Sequence, residues 1–356
     1  MNTFPPLATA QAQIHNAKPK HPVFIRVKRI ALWLVIGIIA LTTIGAIYQA
    51  VATEMDKRAY PPPGQMVNVG GYRLHLYCTG ANVNGSPTVI LEQGGGGNTL
   101  GWFLVQPEVA KSTRVCSYDR AGQGWSDSAP EPRDGASIAK DLRTLLQNAG
   151  VPGPYVLAGH SYGGLFVRAY AAYYPEEVVG LVLLDSAHPD EWTRTPEGQA
   201  QYKSDSQVYG VARMLARLGL LRFGPNPFKV TPSSLPGLSV QQYAEWNALV
   251  STAQFWDTTD AESRTILETM AQVRAASSLG DLPLMVVTAG ANIGVDGQWS
   301  IYQNELSALS TNSAQIVIDG ATHQALWAES EGAHASSVAI LKVVESARTS
   351  QPLANK

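Results

Sequence analysis

The sequence is poor in charge and in cysteine, and it lacks the short motifs of phosphate and zinc binding. Only 15% of its 356 residues are Asp, Glu, Lys or Arg, and the formal net charge is −2. A nucleic-acid-binding domain needs a basic face, so we expect no nucleic-acid partner. No G-x-x-x-x-G-K-[ST] loop and no paired C-x-x-C motif occurs. We therefore predict no metal site and no cofactor.

A long uncharged hydrophobic run stands near the N-terminus. Residues 30–48 are about long enough to cross a bilayer as a helix. Basic residues precede this run and a charge-balanced set follows it, which predicts a cytoplasmic tail at 1–29 and the rest of the chain outside. The sequence thus predicts an uncleaved single-pass membrane anchor. An A-x-A site at residues 50–52 leaves secretion after signal cleavage as the alternative.

After the anchor, strand-like and helix-like patterns alternate. We predict a proline-containing linker at 49–64, then an α/β core formed by residues 65–188 and 281–348. Alternating strands and helices indicate a mainly parallel sheet with helices on both faces. Residues 189–280 are helical in pattern and poor in strands, which predicts a lid over the carboxyl edge of the sheet, where α/β proteins bind ligands. A short tail at 349–356 ends the chain.

One stretch in this pattern is typical of a catalytic turn. Residues 155–158 predict a buried strand and residues 165–174 a helix, with G-H-S-Y-G at 159–163 between them. Strand, G-x-S-x-G and helix in this order are the sequence form of a nucleophile elbow. The flanking positions need glycine because larger side chains would clash with the neighbouring strand and helix. We therefore predict Ser161 as the nucleophile, the alternative being an ordinary glycine-rich turn.

In combination these features resemble the α/β-hydrolase family, and most of all its lidded esterase and haloalkane-dehalogenase-like branch. The resemblance covers roughly residues 65–348 and includes a glycine-rich turn at 93–98, D-R-x-G-x-G-x-S at 119–126, the elbow and a late histidine. It implies an α/β-hydrolase fold with an eight-stranded, mainly parallel sheet and a helical lid, preceded by one transmembrane helix. It also implies neighbouring strands for Cys78 and Cys116, which could form a disulfide or remain buried thiols.

The family order Ser, acid, His guides the choice of catalytic partners. His323 follows the last predicted strand, where the family's histidine lies, so we predict it as the base that accepts the serine proton. Two aspartates remain candidates for the acid. Asp185, at the end of the strand after the elbow, is favoured, and Asp296, in a later loop, is the alternative.

The resemblance further implies an oxyanion hole formed by the backbone N–H groups of Gly95 and Tyr162. Gln93 stands where relatives carry a histidine before their glycine, which leaves the shape of this loop open. We expect Asp119 and Arg120 to hold the loop by an ion pair.

These residues predict a serine hydrolase that cleaves a carboxylic ester through an acyl-enzyme intermediate. Tryptophans in the predicted lid favour an apolar group on a small-molecule substrate. A dehalogenase or epoxide hydrolase is disfavoured, because those relatives use aspartate as nucleophile. An aminopeptidase or a carbon–carbon bond hydrolase would use the same residues. A non-catalytic, membrane-anchored binding protein on the hydrolase scaffold is the alternative from another functional class.

Overall fold

The computed structural model describes residues 22–353 except 84, 131, 236 and 294–296. Eight strands form one sheet, and they are β1 Gln65–Asn68, β2 Arg73–Thr79, β3 Thr88–Glu92, β4 Val115–Tyr118, β5 Tyr155–His160, β6 Val178–Leu184, β7 Leu284–Ala289 and β8 Ser313–Ile318. Their order in the sheet is β1-β2-β4-β3-β5-β6-β7-β8. Pairing is antiparallel between β1 and β2 and between β2 and β4, and parallel in every other pair.

Helices cover both faces of this sheet. They are α1 Pro22–Ala59, α2 Val105–Val109, α3 Gly135–Asn148, α4 Tyr162–Tyr173, α5 Pro196–Arg217, α6 Val240–Leu249, α7 Ala253–Ala275, α8 Gly290–Ile293, α9 Gly297–Ser307, α10 Ala325–Ala328 and α11 Ser330–Thr349. Strand β3 shows the two-sided burial, since Val89 and Leu91 join the core on one face and Ile90 the core on the other. Fully buried strands of this kind are typical of parallel sheets. The predicted fold class is confirmed.

The two cysteines lie opposite each other on neighbouring antiparallel strands. Cys78 of β2 pairs in register with Cys116 of β4, and their Cα atoms are 4.0 Å apart. The two sulfur atoms are bonded. The disulfide that the resemblance allowed is therefore present.

Helix α1 extends beyond the predicted anchor at both ends. It begins at Pro22, within the range predicted as a tail, and it continues through residues 49–59, which we predicted as part of the linker. It is long and apolar enough to cross a membrane, and its most apolar window has no buried residue. Its C-terminal part packs against α5 and α6. The linker range is thus mostly a rigid helical extension.

The range 189–280, which we call the lid segment, contains α5, a 3-10 helix at Leu220–Arg222, α6 and α7. No strand occurs among its described residues, as the sequence pattern predicted. The segment leaves the sheet after β6 and returns at β7. Its first part therefore stands at the carboxyl ends of the parallel strands, where Ser161 also lies, and α7 leads back along α3 and α4 towards the start of β7.

Candidate active site

The serine lies at a strained turn between β5 and α4. Ser161 has φ 55° and ψ −126°, and it is one of three non-glycine residues with positive φ in the described chain. Glycine is required on both sides. A Cβ at Gly159 would lie 2.4 Å from the carbonyl oxygen of Gly163, and one at Gly163 would lie 2.4 Å from that of Glu92. These clashes with helix and neighbouring strand are the ones the motif predicted, and the retained strain is typical of a functional site.

Helix α4 begins directly after the serine, at Tyr162. The first N–H groups of an α-helix have no intrahelical acceptor, and they favour negative charge. Gly95 lies beside this helix start, because a Cβ there would be 3.0 Å from the Tyr162 ring. The neighbouring N–H group, that of Gly94, already donates to Gln93 Oε1 at 2.9 Å. The two predicted oxyanion residues are therefore neighbours.

The Gln93 side chain folds into its own glycine-rich loop. Its Oε1 lies 3.1 Å from Nδ1 of His160 in addition to the N–H of Gly94. A Cβ at Gly97 would lie 2.0 Å from Gln93 Cγ, and one at Gly101 would lie 2.2 Å from its Nε2. The glycines thus make room for the glutamine that replaces the relatives' histidine, and this packing gives the loop its shape.

His323 and Asp185 meet in the structure. His323 Nδ1 lies 2.7 Å from Asp185 Oδ2, and the carboxylate is completely buried. Its other oxygen, Oδ1, accepts hydrogen bonds from Trp299 Nε1 at 2.9 Å and from the N–H of Ala289 at 3.0 Å. A buried carboxylate needs such partners to remain charged. The alternative acid, Asp296, lies outside the described residues.

Ser161 and His323 line one pocket of about 320 Å³. The lid segment contributes part of its wall, including Phe228, Leu235 and Trp246. A Cβ at Gly96 would lie 2.5 Å from the Phe228 ring, so this phenylalanine covers the glycine-rich loop. The pocket is mostly apolar on the lid side and polar around the serine. Such a combination is typical of small-molecule sites.

Sequence reasoning missed the position of His160. Its side chain lines the pocket, and its ring centroid is 4.3 Å from that of His323. Its Nε2 lies 2.9 Å from the carbonyl oxygen of His323. Burial holds the pKa of His160 well below its ordinary value. The neutral imidazole of His160 therefore supports the His323 loop. The position of His160 directly before the serine in the motif is the sequence feature that could have indicated this role. No sequence feature indicated that Trp299 donates a hydrogen bond to Asp185.

Asp119 and Arg120 hold the glycine-rich loop, but the predicted ion pair between them is wrong. Asp119 Oδ2 lies 2.9 Å from Nδ1 of the buried His75. Its Oδ1 accepts from the N–H of Thr99 at 2.7 Å. The acid that was expected to pair with Arg120 is therefore held by a histidine and a backbone N–H group instead.

Arg120 instead connects three parts of the molecule. Its guanidinium is buried and pairs with Glu92 at the end of β3 and with Glu262 of lid helix α7, at 2.7 and 2.8 Å. It also donates to the carbonyl oxygens of Gln93 and Gly94 at 2.7 and 3.0 Å. Burial raises the pKa of Glu92 to about 7 despite the arginine. The arginine thus ties the lid segment to the loop beside the serine.

One cluster in the described part of the chain has the residue types of a metal site. Ligand atoms of His188, Asp190 and Glu305 lie within 4.8 Å of one another. Arg194 Nη2 is 2.7 Å from a carboxylate oxygen of both Asp190 and Glu305. Burial lowers the pKa of His188 to about 4. Arg194 pairs with both acids and Arg274 also pairs with Asp190, so the cluster is an ion-pair network and gives no reason to infer a metal.

A family model described as the alpha/beta hydrolase fold matches residues 87–328. This match covers more than half of the chain, and the chain belongs to the α/β-hydrolase family. It is similar to an uncharacterised protein of Schizosaccharomyces pombe, with 27% identity over 303 residues, which are 77% of this chain and 54% of that protein. An uncharacterised vacuolar membrane protein of Saccharomyces cerevisiae is 32% identical over 134 residues, 33% of this chain and 21% of that protein.

The chain spans about half or less of the length of these relatives. Among solved structures, a loop variant of a haloalkane dehalogenase from Bradyrhizobium elkanii superimposes with a TM-score of 0.62. Their sequences are 17% identical, and the match covers 80% of this chain and 98% of that one. At this identity the likeness shows the fold alone. The prediction of an α/β-hydrolase enzyme is confirmed at the level of the family.

Proposed function

We propose that the chain is a serine hydrolase that cleaves a carboxylic ester. The observation that carries this proposal is the contact of 2.7 Å between His323 Nδ1 and the buried Asp185 carboxylate, in a pocket that Ser161 also lines. The same constellation of serine, histidine and carboxylate supports acyl transfer on several unrelated folds. The serine also distinguishes this site from dehalogenases and epoxide hydrolases with an aspartate nucleophile.

The proposed reaction has two halves. Ser161 Oγ attacks the ester carbonyl while His323 Nε2 takes its proton, because Nδ1 is directed to Asp185. The same proton then passes to the leaving alcohol as the acyl-enzyme forms. Water attacks the acyl group, again with His323 as base, and the acid product leaves Ser161 free.

Two further roles belong to this proposal. The backbone N–H groups of Gly95 and Tyr162 would stabilise the oxyanion, since they adjoin the helix start beside the serine. Asp185 would orient His323 and stabilise its charged form. The apolar lid residues in the pocket wall favour an ester with an apolar acyl or alcohol group.

We also propose that α1 anchors the enzyme in a membrane with the catalytic domain outside the cytoplasm. The helix is apolar, exposed and preceded by basic residues. The bonded Cys78–Cys116 pair supports an oxidising compartment, where disulfides persist.

A fluorophosphonate probe and a short soluble ester test the proposed activity. We expect the full-length protein in detergent to be labelled and to hydrolyse p-nitrophenyl butyrate, and Ser161→Ala to lose both. Ser112→Ala, at an exposed serine, is the control and should retain both. A folded protein that is neither labelled nor active on the ester would refute the hydrolase. Labelling without turnover of any ester would favour a peptide or carbon–carbon substrate.

A further inference from the structure

The membrane-type helix and the lid segment are joined by buried polar contacts. At 1.5 Å per residue, α1 is about 57 Å long, whereas the hydrocarbon core of a bilayer is about 30 Å thick. The excess includes residues 49–59, which contact the lid segment. Arg222 donates to Gln49 Oε1 at 2.7 Å and pairs with Asp56 at 2.6 Å, and its side chain is only 11% exposed. Gln49 Nε2 also donates to the carbonyl of Ser251 at 2.9 Å.

The apolar part of α1 touches the lid segment as well. The Tyr48 ring stacks on Phe223, with their centroids 5.2 Å apart. One helical turn earlier, a Cβ at Gly45 would lie 2.7 Å from the carbonyl oxygen of Leu218, so the backbones are in direct contact there. Gly45 and Tyr48 both belong to the uncharged run 30–48. The part of the lid segment around Leu218 therefore lies at the level of the end of the hydrophobic span.

Apolar side chains are exposed on the same side of the lid segment. Val211, Met214 and Leu218 follow at spacings of three and four residues, which places them on one face of α5 and its end. We define the lid surface as five side chains that are each about half exposed or more, namely Val208, Val211, Met214, Leu220 and Phe223. Phe223 is 76% exposed. A contiguous apolar surface of this kind marks an interaction site, unlike single exposed side chains.

The lid surface is close to the catalytic pocket. Lys229, which lines the pocket, donates from Nζ to the carbonyl oxygen of Arg222 at 2.7 Å. Arg222 is the residue that binds α1. Phe228 covers the glycine-rich loop and follows Phe223 by five positions, so their Cα atoms are at most about 18 Å apart. One short stretch thus reaches from the apolar helix to the pocket wall.

We propose that the lid surface inserts into the interface of the bilayer that α1 crosses, and that the pocket takes its ester from this bilayer. The substrate class is then a long-chain acyl ester that resides in the membrane, such as an acylglycerol. The inference rests on the proposed ester hydrolysis and on the proposed anchoring. The bilayer is the expected occupant because the lid surface continues from the apolar part of α1, and because Lys229 of the pocket wall is bonded to Arg222 beside that surface.

The first test compares a membrane-resident and a soluble ester. The full chain is reconstituted in phosphatidylcholine vesicles that contain dioleoylglycerol, and turnover is compared with that of p-nitrophenyl butyrate. We expect the turnover of the vesicle ester by the double variant Val211→Ser/Met214→Ser to fall at least tenfold. Its turnover of the soluble ester should fall less than twofold. The matched control is Ile301→Ser/Val338→Ser, which changes two exposed apolar residues on α9 and α11. It should retain both activities.

A second measurement detects insertion of the lid surface into the bilayer independently of catalysis. A polarity-sensitive dye at Val211→Cys should be quenched by nitroxide-labelled lipid, whereas the same dye at Val338→Cys should not. Equal vesicle-ester turnover by the double variant and the native chain, or no quenching at position 211, would overturn the proposal. Quenching by a nitroxide-labelled second copy of the protein, rather than by labelled lipid, would show that the lid surface self-associates. That result would also overturn the proposal. If the native chain hydrolyses neither ester, the proposed function fails, while quenching still reports insertion on its own.

Discussion

At the scale of single residues, the site depends on a carboxylate that sequence reasoning could only shortlist. Asp185 and Ser161 are both non-glycine residues held at positive φ, at 43° and 55°. Such backbone conformations cost free energy and persist where the surrounding structure enforces them. At Asp185, one carboxylate oxygen contacts His323 and the other accepts a hydrogen bond from Trp299. The favoured candidate for the acid, at the end of β6, is therefore in contact with the proposed base.

Asp185→Asn should lower kcat for p-nitrophenyl butyrate by about 10³- to 10⁴-fold, with little change in KM. The amide keeps the shape but favours the wrong imidazole tautomer and no longer stabilises its charge. Steady-state kinetics in detergent would measure this loss. Asp319→Asn is the control, because Asp319 is exposed in the loop that precedes His323. If Asp296→Asn were the more damaging change instead, the acid would be the other aspartate.

At the scale of elements, the link between the lid segment and the elbow is a buried ion network. Arg120 carries one positive charge between two acids, Glu92 of β3 and Glu262 of α7. Removing one partner from such a network costs several kcal/mol, whereas the intact network adds little net stability. Its value here is geometric, since the same guanidinium binds the carbonyls of the glycine-rich loop. The lid segment and the proposed oxyanion loop therefore hold each other in position.

The titration of Glu92 should lower the stability of the folded protein as pH rises from about 4.5 to about 7, against the gain in stability that the depressed pKa values of His160 and His188 give below pH 6.5. Burial raises the pKa of Glu92 from 4.5 to about 7, so in this interval the folded state holds a proton that the unfolded state has released. Unfolding curves in denaturant at several pH values would measure the slope of stability against pH, and Glu92→Gln should make this slope more positive than in the native chain. Glu108→Gln, at an exposed position, is the control and should leave the slope unchanged. An unchanged slope in Glu92→Gln would contradict the assignment.

At the scale of the whole molecule, the α/β core is joined to an apolar helix through its lid segment. The contacts of α1 with α5 and α6 are the physical basis of this arrangement, and the disulfide secures the antiparallel side of the sheet. A linker alone would let the domain rotate freely above a membrane. In the proposed anchoring, the helical extension at 49–59 would fix instead which surface faces the bilayer.

Replacing both cysteines, as Cys78→Ala/Cys116→Ala, should lower the free energy of unfolding by about 4 kcal/mol. The bond closes a loop over a sequence separation of 38 residues, and chain-entropy arguments give this magnitude for a loop of that length. Thermal unfolding in detergent would measure the loss, and a reducing agent should destabilise the native chain but not the variant. Identical unfolding temperatures would show that the bond does not form in solution.

The sequence determined the local features of this protein. Gly159 and Gly163 around Ser161 required the elbow, because no larger side chain fits against the helix and β3. The uncharged run 30–48 specified a membrane-type helix, and alternating apolar periodicities specified the sheet and its covering helices. These features depend on neighbours along the chain, so the pattern of residue types was sufficient to predict them.

Tertiary structure alone decided the contacts between distant segments. Asp185 lies 138 positions from His323, and Arg120 lies 142 positions from Glu262. No local pattern indicates which of several acids each one meets, since this depends on strand order and on how the lid segment returns to the sheet. For the same reason the sequence did not predict the helix at residues 49–59. Residues 49–59 are polar enough to be a connection, but the partners Arg222 and Ser251, supplied from far along the chain, hold them as a helix against the lid.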